Sequence, residues 1–296
     1  MMRIALFLGT NIAVLALATI VLRVLGLEDY MHARGMGLQL EGMLVWAAVI
    51  GMGGAFISLL LSKWMAKLST HATVIDGSRG ETERWLVNTV EALSREAGIG
   101  MPEVAVFASE QPNAFATGAS RNKALVAVST GLLQNMRPEE VRAVLGHEIG
   151  HVANGDMVTL TLIQGVLNTF VFFLARVIGM VVDRAISRDD RDSGGIGYFL
   201  TTMVAQIVLG LFASMIVMWF SRHREFRADA AGAKLAGRDS MIGALERLKV
   251  ASQMPDRMPE TLTAFGIASG ARRSFTQLFA SHPPLDERIA ALRAAG

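Results

Sequence analysis

The 296-residue chain is 52% hydrophobic and only 18% charged, with a mean hydropathy of +0.40. Ordinary globular chains carry about 25% charged residues, so this composition excludes a simple soluble domain, and its hydrophobicity excludes disorder. The absence of cysteine excludes disulfide frameworks, thiolate metal sites, iron–sulfur clusters and cysteine nucleophiles, and a net charge of +2 is too mild to argue for nucleic acid.

In chain order, the apolar excess falls in four blocks: 4–25, 42–62, 157–182 and 196–220. Each is long enough, as a helix, to cross a hydrocarbon core of about 30 Å. The second and fourth hold no charge. Asn11 and Arg23 interrupt the first, and Gln164, Asn168 and Arg176 interrupt the third, where Arg176 can snorkel toward an interface. The first run exceeds the apolar core of a signal peptide and is expected to remain as an anchor. Lys63 and Lys67 follow the second block, and Arg222, Arg224 and Arg227 follow the fourth, whereas 26–41 and 183–195 are net acidic. The positive-inside rule then puts the N-terminus, 63–156 and 221–296 in the cytoplasm. The expected organisation is an N-terminal pair of transmembrane helices (1–62), a first cytoplasmic part (63–156), a second membrane hairpin (157–220) and a second cytoplasmic part (221–296). The fold class is mainly α within α+β: a multi-pass membrane protein with four hydrophobic helices and a cytoplasmic domain holding a small β-sheet.

Within the cytoplasmic parts, 81–97 reads as an amphipathic helix, with Leu86, Val90, Leu93 and Ala97 on one face and Gly98 at its end. Residues 103–107 and 124–129 read as strands, and 111–120 as a loop. Residues 138–153 read as a helix that starts at Pro138 and stops at Asn154-Gly155. Further helices are expected over 222–236, from Asp239 or Ser240 to about Gln253, and over 283–294.

The helix over 138–153 carries His147-Glu148-Ile149-Gly150-His151. Residues four apart share a helical face, so the two imidazoles can bind one zinc with Glu148 beside it to handle protons. Zinc acidifies water, and Glu148 would take the proton and later give one to the leaving amine. A catalytic zinc commonly has three protein ligands. With no cysteine, the third must be another histidine, such as His223 or His282, or a carboxylate. Glu225 and Asp229 stand four apart after the fourth block, so one can bind metal while the other orients a ligating histidine. A transporter with a regulatory metal is the rival class, but blocks two and four hold none of the ionisable residues it would need.

The order His147-Glu148-x-x-His151, a membrane hairpin, then Ser221-Arg222-x-x-Glu225-x-x-Ala228-Asp229 resembles the HtpX-type membrane metalloproteases, relatives of the type I CAAX prenyl proteases. Asn113-Ala114-Phe115-Ala116-Thr117-Gly118 and Ser281-His282-Pro283-Pro284-Leu285 match the same family. The resemblance implies a zincin-like catalytic domain with one zinc per chain, held by His147, His151 and Glu225, with Glu148 as general base. It also implies that Asp229 orients a ligating histidine, that Arg222 or His282 stabilises the oxyanion, and that Asn113 bonds the substrate backbone. Substrate would add as a strand to an edge strand at 124–129. The implied activity is endopeptidase cleavage of misfolded or damaged membrane proteins, on the cytoplasmic side of a bacterial inner membrane. The expected partners are these substrates and the bilayer, with no nucleic acid. His151 stands six residues before the third block and Glu225 five after the fourth, so the zinc is expected close to the membrane surface.

Overall fold

Three of the four apolar blocks form helices in the computed structural model, which describes residues 37–186, 196–253 and 282–295. These are α1 (Gly37–Thr70), α5 (Asp156–Ile186) and α6 (Ile196–Ala236). All three are long and apolar enough to cross a membrane. The block expected at 4–25 lies outside the described residues. Between the spans stand β1 (Thr73–Ile75), α2 (Glu81–Glu96), β2 (Glu103–Phe107), β3 (Ala114–Thr117), β4 (Leu125–Ser129), α3 (Thr130–Asn135) and α4 (Pro138–Asn154). The chain ends with α7 (Arg238–Gln253) and α8 (Leu285–Ala294).

Contacts divide the chain into two units, one of residues 1–58 and 160–217 and one of 59–159 and 218–296. In the first, Leu44 and Ala47 of α1 pack with Phe173 and Val177 of α5. Gly51 meets the backbone of Thr169, so the two helices touch through small residues. Arg176 turns back on its own helix, donating from Nη1 to the Phe172 carbonyl at 3.0 Å. Large apolar side chains remain on the outside, including Trp46, Phe199 and Phe212. Such a surface calls for lipid rather than water.

The second unit is built on a four-stranded sheet in the order β1-β2-β4-β3. β2 and β4 run parallel, and β1 and β3 flank them antiparallel. One face of the sheet gives Val104, Val126 and Val128 to a core with Leu86, Val90 and Leu93 of α2 and Val141, Leu145 and Ile149 of α4. Met241 and Leu245 of α7, with Ile289 and Leu292 of α8, complete this core. Each set recurs at helical spacing, which is why one face of each helix is apolar. The expected edge strand at 124–129 is corrected: β4 lies between β2 and β3, with all five residues buried. A run with no polar alternation suits an interior strand. The edge strands are β1 and β3, and β3 lies inside the stretch expected to be a loop. The helix expected over 222–236 is the continuation of α6, because no glycine or proline stands across the junction, in residues 211–231.

Candidate metal centre

α4 begins with Pro138 in its first turn, and the Arg137 backbone N–H donates to Glu140 Oε2 at 2.9 Å. Proline fits here because the first turn has no helical acceptor for its missing N–H. Along α4 the small residues Gly146 and Gly150 face Gly232 and Ala231 of α6. A Cβ placed on Gly150 would stand 2.7 Å from that of Ala231, so only glycine permits this approach. The neighbouring face of α4 carries His147 and His151, and the close approach sets Glu225 of α6 opposite them.

The Nε2 atoms of His147 and His151 are 3.1 Å apart. Glu225 offers Oε1 at 3.3 Å from His151 Nε2 and Oε2 at 3.6 Å from His147 Nε2. All three residues are buried, and their donor atoms lie within 4.8 Å of one another, so the group could hold a metal ion. Donors around a tetrahedral ion with bonds of about 2.0–2.1 Å stand roughly 3.3 Å apart, so the spacing fits such an ion.

Behind the donors lies a ring of charge. His147 Nδ1 is 2.9 Å from Asp229 Oδ1, and His151 Nδ1 is 2.7 Å from Asp156 Oδ2. Each ring therefore keeps its Nδ1 on a carboxylate and turns Nε2 inward. Arg288 of α8 donates from Nε and Nη2 to Asp229 at 2.7 and 2.5 Å, and its Nη1 is 3.2 Å from Glu225 Oε2. His282 Nδ1 is 2.7 Å from the same oxygen. Burial pulls the His147 imidazole down, but its bonds to Asp229 and Glu225 prevail and hold it above its ordinary value. Burial acts the same way on His151, yet Asp156 and Glu225 push it up to about 9. The carboxylates thus favour positive charge at the point where the two rings meet.

Beside the donors opens a cleft of about 640 Å³, lined by Glu148 and Val144 of α4, Leu245 and Leu248 of α7, and Asn113 and Ala114 at the start of β3. Asn113 is pinned through its backbone: its N–H donates to Ser129 Oγ at 2.9 Å and its carbonyl accepts from the Ser129 N–H at 2.8 Å. Its side chain stays exposed.

The structure thus brings together His147, Glu148, His151, Glu225, Asp229, His282 and Asn113. Arg222 is half-buried on α6 and does not line the cleft, and His223 is exposed with its ring 4.7 Å from Trp219. Two residues of the centre escape sequence reasoning. Asp156 follows the Asn154-Gly155 stop, and Arg288 sits among the charges of a short C-terminal helix. The one available signal for Asp156 is its place just past the helix that carries both histidines.

Comparison with known proteins agrees over nearly the whole chain. Residues 81–295 match Peptidase family M48. Protease HtpX of Hahella chejuensis is 62% identical over 294 residues, spanning 99% of each chain. Protease HtpX of Pseudomonas putida strain W619 is 57% identical over 296 residues and spans all of both. The crystal structure of Ste24p from S. mikatae matches with a TM-score of 0.62 at 20% identity, covering 93% of this chain and 66% of that one. At that identity the likeness bears on the fold.

Proposed function

Since the chain belongs to peptidase family M48, and is therefore a metalloprotease, we propose that it is a zinc-dependent endopeptidase of a bacterial inner membrane. It cleaves misfolded or damaged membrane proteins on the cytoplasmic side. The observation that carries the proposal is the convergence of His147 Nε2, His151 Nε2 and the Glu225 carboxylate at the wall of a cleft that also presents Glu148. Two imidazoles and one carboxylate form a three-ligand set known from catalytic zinc sites, which leaves a position open to substrate or water.

The chemistry that a bound zinc would supply is Lewis acidity toward water and the scissile carbonyl. Glu148 accepts the proton of the attacking water and returns one to the departing amine nitrogen. Asp229 holds His147 by Nδ1, so this ring presents Nε2 without rotating. His282 lines the cleft and serves the developing oxyanion in place of Arg222. Asn113, pinned by Ser129, offers its exposed amide to the substrate backbone. Of the two edge strands, β1 and β3, it is β3 whose start lines the cleft, and an extended segment would add there. The expectation of a membrane substrate is supported by the two apolar helical stretches that stand in sequence between His151 and Glu225.

Replacing Glu148 with glutamine tests the assignment. The variant should keep its zinc by elemental analysis and lose casein hydrolysis by at least about a hundredfold, the scale of general acid–base catalysis. Cleavage at the parental rate would remove Glu148 from the reaction.

A further inference from the structure

We propose that Asp156 is a positioning residue of the metal centre, holding the His151 imidazole by Nδ1 so that Nε2 points at Glu225 and His147. The proposal rests on the assignment of His151 as a metal ligand. Asp156 is 2% exposed, and its Oδ2 lies 2.7 Å from His151 Nδ1. The other oxygen, Oδ1, is 3.6 Å from Arg227 Nη2. Bonding the inner ring nitrogen to an acceptor fixes the tautomer and the ring plane.

The local chain explains how the carboxylate gets there. Asp156 is five residues beyond His151. In an unbroken helix, at about 100° per residue, that position would lie about 140° around the axis from the histidine. α4 instead stops at Gly155, whose φ of 72° and ψ of 32° are left-handed, and whose N–H returns to the Val152 carbonyl at 3.1 Å. The break swings the next residue back over the last turn, and α5 starts from it. His147 receives the same service from Asp229, a residue of another helix. The two ligating rings are thus oriented by one distant carboxylate and one local one.

Two structural roles compete with positioning: compensating the cations Arg224 and Arg227, and a negative charge in the first turn of α5. Both require the charge, whereas positioning requires only a hydrogen-bond acceptor. The test is Zn2+ affinity of the full-length, metal-stripped chain in detergent, measured by competition with a chromophoric chelator. Asp156→Ala should weaken binding about 10–100-fold, the usual effect of removing such a partner. Asp156→Asn, which keeps an acceptor, should bind nearly as tightly as the parent, and Arg227→Gln should bind unchanged. Asp156→Ser preserves a good helix start but is too short to hold the ring, so it should fall with alanine even if the alanine variant does not fold. Parental affinity in the alanine or serine variant would overturn the proposal, as would an asparagine variant as weak as serine. His151→Ala serves as the reference: full Zn2+ binding there would instead refute His151 as a ligand.

Discussion

Arg288 places a positive charge directly against two carboxylates of the centre, Asp229 and Glu225. It is 6% exposed, and Glu225 and Asp229 are each 1% exposed. A buried charge is tolerated when it is paired and hydrogen-bonded, and removing one partner leaves the other uncompensated. Arg288→Ala should therefore destabilise the metal-free chain by about 3–5 kcal/mol, measured by denaturant unfolding in detergent. Arg288→Lys should restore little of this, because one ammonium cannot span Asp229 with two donors and reach Glu225 with a third. Stability equal to the parent in the alanine variant would show that the guanidinium is not the counter-charge of the site. His147, Glu148 and His151 were legible in the sequence because their spacing is that of one helical face. Arg288 was not, since it reaches Asp229 across 59 residues and reads locally as one more charge in Leu285–Ala294.

At the level of elements, the centre depends on how closely α4 and α6 approach. Gly150 touches Ala231, and Gly146 lies against Gly232. Gly150→Ala should force the helices apart at the point that sets Glu225 against the histidines. The cost expected from overpacking is about 1–3 kcal/mol, with a parallel loss of bound zinc by elemental analysis. Normal zinc content in a folded Gly150→Ala chain would show that the approach can yield without disturbing the donors. α2 was legible through its apolar period, α4, α7 and α8 through their start and stop signals, and β2 and β4 through their apolar runs, whereas α3 and β1 were not read. β3 was missed because its four half-buried residues, Ala114–Thr117, follow Pro112-Asn113 in a stretch that otherwise reads as turn. That omission misplaced the sheet edge, since a sheet without β3 would end at β4. Asp156 was missed for a related reason: the glycine that ends α4 looked like punctuation, while its left-handed backbone also aims the residue that follows.

For the whole molecule, composition was the strongest guide. Three of the four apolar blocks are helices able to span a bilayer, and the other described residues fold mainly around a sheet and its core. Orientation rests on the distribution of Lys and Arg beside the apolar blocks. A topology reporter fused after Gly296 should therefore read as cytoplasmic, and an external signal would move the proposed site of proteolysis to the other side of the membrane.

The long separation between Arg288 and the residues it neutralises also has a meaning in time. His147 and Arg288 stand 141 positions apart. At about 5–20 residues per second, a ribosome needs roughly 7–30 s to pass from one to the other. For the last 59 of those residues the nascent chain holds Asp229 without the guanidinium that pairs with it. The charge balance of the centre is thus set only when α8 joins α4 and α6, after both of those helices have been synthesised.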